Sequence, residues 1–362
     1  MIRASRALVL LVIAGIALRA QQAPDKLDLL NLTNSVQAAI DAGDWRKAAD
    51  LSALLETAVR DARNQAAVGK NSALVDSILT WLPADTETVV VAQEPFRISA
   101  PDPSAIPSAL AMAQGYVTGV LDAAEAGQLG SALQGETIQL AVLGARRFTN
   151  HPPDEQNILP LGMIAYQGCG VYVLAKAASK IVARPPDESV MGLPVWVAKG
   201  SQNDRPNTDT YLVALPRPDL ILVCNDRTFF AEISSRMASP QTPRALPSDL
   251  PEWKRVDRSE PLWAIRHFAD SADAGNIFGA ERDPQATGLV LEFGLAGGAA
   301  KARMISKSDP WKDFTSHAEF GGAAQSREVT KGVWELSIGS KPEAAGMAAF
   351  ALMALAGFVV LL

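Results

Sequence analysis

Chemistry in this chain would have to come from few residues: three histidines, two cysteines and some clustered charges. His151 stands in a loop before two prolines, His267 lies in the strand-like run Trp263 to Phe268, and His317 is near Asp313 and Glu319. Nothing in the local sequence orients any of the three as a general base, so a solvated or structurally bonded imidazole is the expectation for each. Arg146-Arg147 and Arg266-His267 both sit in apparent strands and are both followed by Phe. Strand alternation turns one base of each pair inward. If the inward bases meet an acid they form buried pairs; the sharper alternative is a site for a ligand carboxylate. Asn203, Asp204, Asn207 and Asp209 crowd one polar loop with the oxygen ligands that calcium prefers. The glycine and closing glutamate of a twelve-residue calcium loop are missing, and a solvated turn is the expectation.

The spacings that known chemistries require are missing. There is no His-Glu-x-x-His zinc helix, no Gly-Lys-Ser/Thr phosphate loop, no Cys-x-x-Cys and no Gly-x-Ser-x-Gly elbow. Gly168-Cys169-Gly170 lacks the third glycine of a dinucleotide turn and reads as a plain turn. No catalytic, metal or cofactor-binding residue is therefore assigned, and no cofactor is expected. Cys169 and Cys224 read either as a disulfide or as two buried thiols. Asn31-Leu32-Thr33 is a glycosylation sequon whose use depends on the host.

The two ends carry the strongest signals. Arg3 and Arg6 precede the apolar stretch Ala7 to Leu18, and Leu18-Arg19-Ala20 offers a cleavage site before Gln21, so residues 1–20 are expected to be a secretory signal peptide. As a helix that stretch spans at most ~18 Å, too short for a ~30 Å hydrocarbon core. Ala344 to Leu362 has neither charge nor proline and would reach ~28 Å, so 344–362 is expected to be a single C-terminal transmembrane helix and the chain's contact with the lipid bilayer. Pro342-Glu343 before this helix resembles an exosortase-type sorting tail without its terminal arginine cluster. The net charge is −6, and loss of Arg3, Arg6 and Arg19 with the signal takes it to −9. Such a chain repels phosphate backbones, which argues against nucleic-acid binding.

Between the ends an α+β organisation is expected. Residues 25–82 read as a helical hairpin broken at Ala42-Gly43-Asp44. The stretch "AIDAGDWRKAADLSALLETAVRDA" resembles a single tetratricopeptide-like hairpin. One such unit does not make the usual groove, so a packing hairpin, a stalk or a protein-partner surface are its alternative roles. Residues 83–340 read as an extracytoplasmic body of antiparallel strands with helices on one face. Strands are expected at Thr86 to Ala92, Thr137 to Phe148, Tyr211 to Leu215, Leu220 to Cys224, Leu262 to Phe268, Thr287 to Leu295, Ala299 to Ile305 and Gly332 to Ile338. Helices are expected at Ser104 to Glu125 and from Thr228, the second capped by Asp226 or Thr228. Leu161 to Ile181 and Thr210 to Met237 both read strand–turn–strand–helix, which suggests an internal ββα duplication. The Pro-rich stretch Ser239 to Trp253 reads as a long loop or linker open to proteolysis.

The function this supports is an exported, membrane-tethered protein on the periplasmic or extracellular face, with a structural or binding role. An exported hydrolase-like enzyme assembled from distant loops, or a carrier of an apolar ligand, are the alternatives.

Overall fold

The computed structural model describes residues 26–48, 51–52, 55, 71–93, 95–97, 136–147, 166–177, 185–199, 210–240, 243–267, 287–293, 300–316 and 324–339. The expected signal peptide at 1–20, the expected helix at Ser104 to Glu125 and the expected membrane helix at 344–362 lie outside them. The chain divides into two compact units, residues 1–70 and 71–362.

In the first unit α1 covers Lys26–Asp41. It ends where the sequence places its break. Asp44 N–H donates to Ala39 O (3.0 Å) and Gly43 N–H to Ile40 O (2.9 Å), with Gly43 at φ +70°. This is the six-to-one and five-to-two pairing of a helix terminus closed by a left-handed residue, a conformation glycine adopts without a Cβ clash. Asp44 then caps the next helical turn by accepting from Lys47 N–H (3.1 Å). Ala39 and Ala48 are buried, whereas Leu30, Ile40 and Trp45 are exposed.

The unit boundary falls at 70/71 and not at 82/83. Residues 71–81 form a helix, α2, whose Val75, Ile78, Leu79 and Leu82 recur at helical spacing and enter the core of the second unit. That apolar stripe is why the segment joins the body instead of the N-terminal hairpin.

The second unit is an α+β body built on one large antiparallel sheet. Its strands are β1 (Thr88–Ala92), β2 (Phe96–Arg97), β3 (Thr137–Arg147), β4 (Tyr166–Leu174), β5 (Glu188–Val190), β6 (Leu193–Lys199), β7 (Thr210–Arg217), β8 (Leu220–Cys224), β9 (Leu262–His267), β10 (Gly288–Phe293), β11 (Ala300–Ile305), β12 (Ala324–Thr330) and β13 (Val333–Ile338). Their order is β12-β13-β11-β10-β9-β1-β3-β4-β8-β7-β6-β5, with β2 alongside β3. Most of the apolar runs expected to be strands are strands within a residue or two. Every residue of β1, β8 and β10 is buried, so the central strands hide both of their faces. The described helices α2 and α3 (Arg227–Ala238) pack on one face, against Val89, Val142, Val171 and Leu222. Asp226 caps α3, its Oδ1 accepting from Phe229 N–H at 2.7 Å.

Two expectations are corrected. The described residues 166–177 hold no glycine turn: β4 is a single nine-residue strand that runs straight through Gly168 and Gly170. Gly170 is there for space, because a Cβ would lie 2.6 Å from the Tyr172 ring. The β5–β6 hairpin escaped the sequence reading because its two-residue turn pairs Gly192 with Met191, which adopts φ +51° against the usual preference for Asn or Asp.

The second correction concerns the Pro-rich stretch, whose residues 243–253 form a packed strap. Ala245 N–H donates to Leu79 O (3.0 Å), and Arg236 donates to Pro243 O (2.6 Å) and Thr80 O (3.1 Å). Ala245 and Leu246 are buried. Pro251–Lys254 forms a 3₁₀ turn that sets Trp253 edge-on to Trp263, with ring centroids 5.8 Å apart. Limited proteolysis is accordingly expected to spare 243–260. Early cleavage there, mapped by mass spectrometry, would contradict the strap.

Candidate functional site

The helix-covered face of the sheet carries two groups of buried charge, one at each end of β10. The first is organised by His267. Its side chain shares a face with Trp263 and Ile265 and points inward, as strand alternation requires. Gly288 is its register partner on β10. The 3₁₀ turn Pro251–Lys254 carries Glu252, 2% exposed, over that glycine. A Cβ at position 288 would collide with the Glu252 carboxylate and with Arg266 O. Thr287 Oγ1 donates to Glu252 Oε1 (2.9 Å), and His267 Nδ1 lies 3.4 Å from Glu252 Oε2. At 3.4 Å the contact is a charge pair more than a well-formed hydrogen bond.

The electrostatics of the two groups agree. Interaction with Glu252 holds the His267 imidazole above its ordinary value, burial pulls it back, and the Glu87 charge adds to the rise. Burial alone would raise Glu252, but His267, a backbone N–H and Thr287 outweigh it and leave the carboxyl lowered. The contribution of His267 to stability is thus complete below its unfolded pKa, about 6.5, and is lost as pH rises through the raised folded value. Glu252 contributes above about 4.5 and loses that contribution as pH falls through its lowered folded value. The pair stabilises most between those limits. Replacing His267 by Gln should lower the urea midpoint most near pH 5–6 and progressively less above pH 7. A midpoint difference that stays constant from pH 5 to 8 would exclude the pair as its source.

Arg146, 13% exposed, is the other inward base. Its Nη1 donates to both Asp85 oxygens (3.0 Å) and lies 2.9 Å from Glu232 Oε2 on α3, while its Nε donates to Gln167 Oε1 (2.6 Å). The guanidinium stacks 4.6 Å above Phe229. Both inward bases therefore meet acids of this chain, a buried one at His267 and more exposed ones, Asp85 and Glu232, at Arg146. Arg266 is buried on the opposite face. Chemically, Glu252 and His267 form an orienting acid and an imidazole. The hydroxyl among them, Thr287, donates to the acid and not to the imidazole.

The second group was not read from the sequence. Arg303 on β11 bridges two carboxylates: Nη1 to Glu292 Oε1 and Nε to Glu335 Oε2, both at 2.8 Å. Arg327 Nη2 closes on Glu335 Oε1 at 2.7 Å. Asp257 N–H donates to Glu292 Oε1 (2.5 Å), and Arg303 Nη1 donates to Arg255 O (2.6 Å), so the chain of charges also pins the strap. Burial pushes the Glu292 carboxyl up against the pull of Asp257 N–H and Arg303. Glu335 is also pushed up by burial, but Arg327 and Arg303 together leave it lowered. The available sequence signal was a lone acid at an inward position of the apolar run Leu289 to Phe293.

His151, His317, Asn203, Asp204, Asn207 and Asp209 lie outside the described residues. Asn31 lies in α1, where Thr33 Oγ1 donates to Leu29 O (2.8 Å). Cys169 and Cys224 are unlinked thiols in the core. Among the described residues no group of three His, Cys, Asp or Glu is placed to hold a metal ion, and no helix is long and apolar enough to cross a membrane.

No protein-family model matches the chain, and no curated protein matches it. Among solved structures it is similar to crystal form I of TP0453, at TM-score 0.41 and 9% identity over 76% of this chain and 97% of that one. Crystal form III of TP0453 gives TM-score 0.38 and 10% identity over 75% and 97%.

Proposed function

We propose that this is an exported protein held on the periplasmic or extracellular face of a membrane by residues 344–362, that its role is binding, and that its N-terminal helical unit meets a protein partner. Export and tethering are supported by the sequences of the two ends. The binding role is carried by the distribution of exposed apolar side chains. Trp45 is 70% exposed, Leu30 57% and Ile40 38%, all within one short helical unit. Among the described residues of the sheet unit, Met191 and Val329 are the large apolar side chains exposed to a comparable degree. An exposed tryptophan, leucine and isoleucine within one helical unit are the residue types of an interface anchor.

The test is a photo-crosslinking amino acid at position 45 of the full chain in its native membranes. Illumination should yield one discrete higher-mass adduct, abolished by Leu30→Asp, whereas the same probe at position 191 should yield none. Equal labelling from both positions, or no adduct from position 45, would overturn the partner surface.

A further inference from the structure

We propose that Cys169 and Cys224 are a cross-strand disulfide site, closed by a disulfide oxidant while the sheet assembles. The two residues are direct register partners on β4 and β8. Asn225 N–H donates to Gly168 O (3.1 Å), so 168 and 225 form the hydrogen-bonded pair and 169 and 224 the non-hydrogen-bonded one. Partners of that second kind approach to about 4.5 Å between Cα atoms, inside the roughly 4.4–6.8 Å window a disulfide spans. Both side chains enter the same core, beneath α2 and α3. The register alone brings them within reach of each other.

The same burial decides when the bond can form. Cys169 and Cys224 are 1% and 0% exposed, and burial holds the Cys224 thiol well above its ordinary value. In the closed sheet both sulfurs are out of reach of any reagent, and the Cys224 thiol stays protonated. During assembly they are solvated. One thiolate attacks the oxidant's disulfide and expels one of its sulfurs as a thiol. The second cysteine then attacks the mixed disulfide and expels the other. Two protons and two electrons leave the cysteine pair, and the oxidant departs as two thiols. The resulting link ties β4 to β8 and encloses β5, β6 and β7 within one covalent loop.

Whether the cell makes this link rests on the export reading above; the pairing does not, and the two are tested separately. The purified full chain is unfolded and reduced, then refolded with oxidised glutathione or with dithiothreitol. Oxidative refolding should give a monomer lighter by two hydrogens, without glutathione adducts and without alkylatable thiols after denaturation. Its urea midpoint should lie above that of the reduced form, and dithiothreitol should cancel the difference only after unfolding. Glutathione carried on the cysteines, or two alkylatable thiols, would overturn the proposal. If refolding closes the link while protein taken from cells carries two thiols, the export reading fails and the pairing stands.

Discussion

Deleting residues 343–362 should move the protein from the membrane fraction to the soluble fraction while leaving the melting temperature of the sheet unit unchanged. The segment from Ala344 has no charged and no strongly polar side chain on any face. A helix apolar all round is satisfied only by lipid or by complete enclosure in protein. Its 19 residues make ~28 Å of helix, close to one hydrocarbon thickness. Lys341 and Glu343 mark where the chain would enter the headgroups. The comparison is carbonate extraction followed by thermal denaturation of the truncated chain and of the full chain in detergent. Retention in the membrane, aggregation, or a melting point lower by several degrees would make the segment part of the fold and end the tether reading.

The second large effect is expected at Arg303. Replacing it by Met preserves much of the stem packing but leaves Glu292 and Glu335, 2% and 4% exposed, without the cation between them. Removing one partner of a buried ion pair costs about 3–5 kcal/mol. For a unit of this size that lowers the melting temperature by roughly 10 °C. Part of the loss should return at mildly acidic pH, because burial already favours the protonated form of Glu292. Adding Glu292→Leu and Glu335→Leu to Arg303→Met should recover most of it, since an apolar set of similar volume no longer holds an unpaired charge. A single substitution that costs under about 1 kcal/mol would mean that water reaches and solvates the two carboxylates.

What the sequence disclosed follows from how local each signal is. Val89 to Val91 and Leu220 to Val223 are continuous apolar runs, and the Asp226 cap sits beside the helix it starts, so each can be read within a few residues. Strand β12, Ala324 to Thr330, went unread because an edge strand keeps polar residues such as Gln325, Arg327 and Glu328 outward and shows no apolar run. Gly170 of β4 misled because a glycine that makes room for a neighbouring ring has the same letter as one that makes a turn. The Glu252–His267 contact was half visible: alternation showed that His267 or Arg266 would face inward, but its acid arrives from a Pro-rich stretch that gives no periodic signal. The Arg303 bridge draws Glu292, Arg303 and Glu335 from three strands, and only the folded register brings them together.

That register has a consequence for assembly. Arg327, Glu335, Arg303, Val290 and Ile265 stand side by side across five strands. The residues one step along on β10, β11 and β13, namely Leu291, Ala302 and Leu336, lie on the other face and are buried there. Sliding β11 or β13 by a single residue would carry a charge into that apolar layer and strand its counter-charge behind. In a sheet of similar apolar strands, where mispairings bury similar surface, the alternating charges act as a key that fits one alignment. Their worth therefore lies less in the energy they add to the finished sheet than in the wrong sheets they disallow.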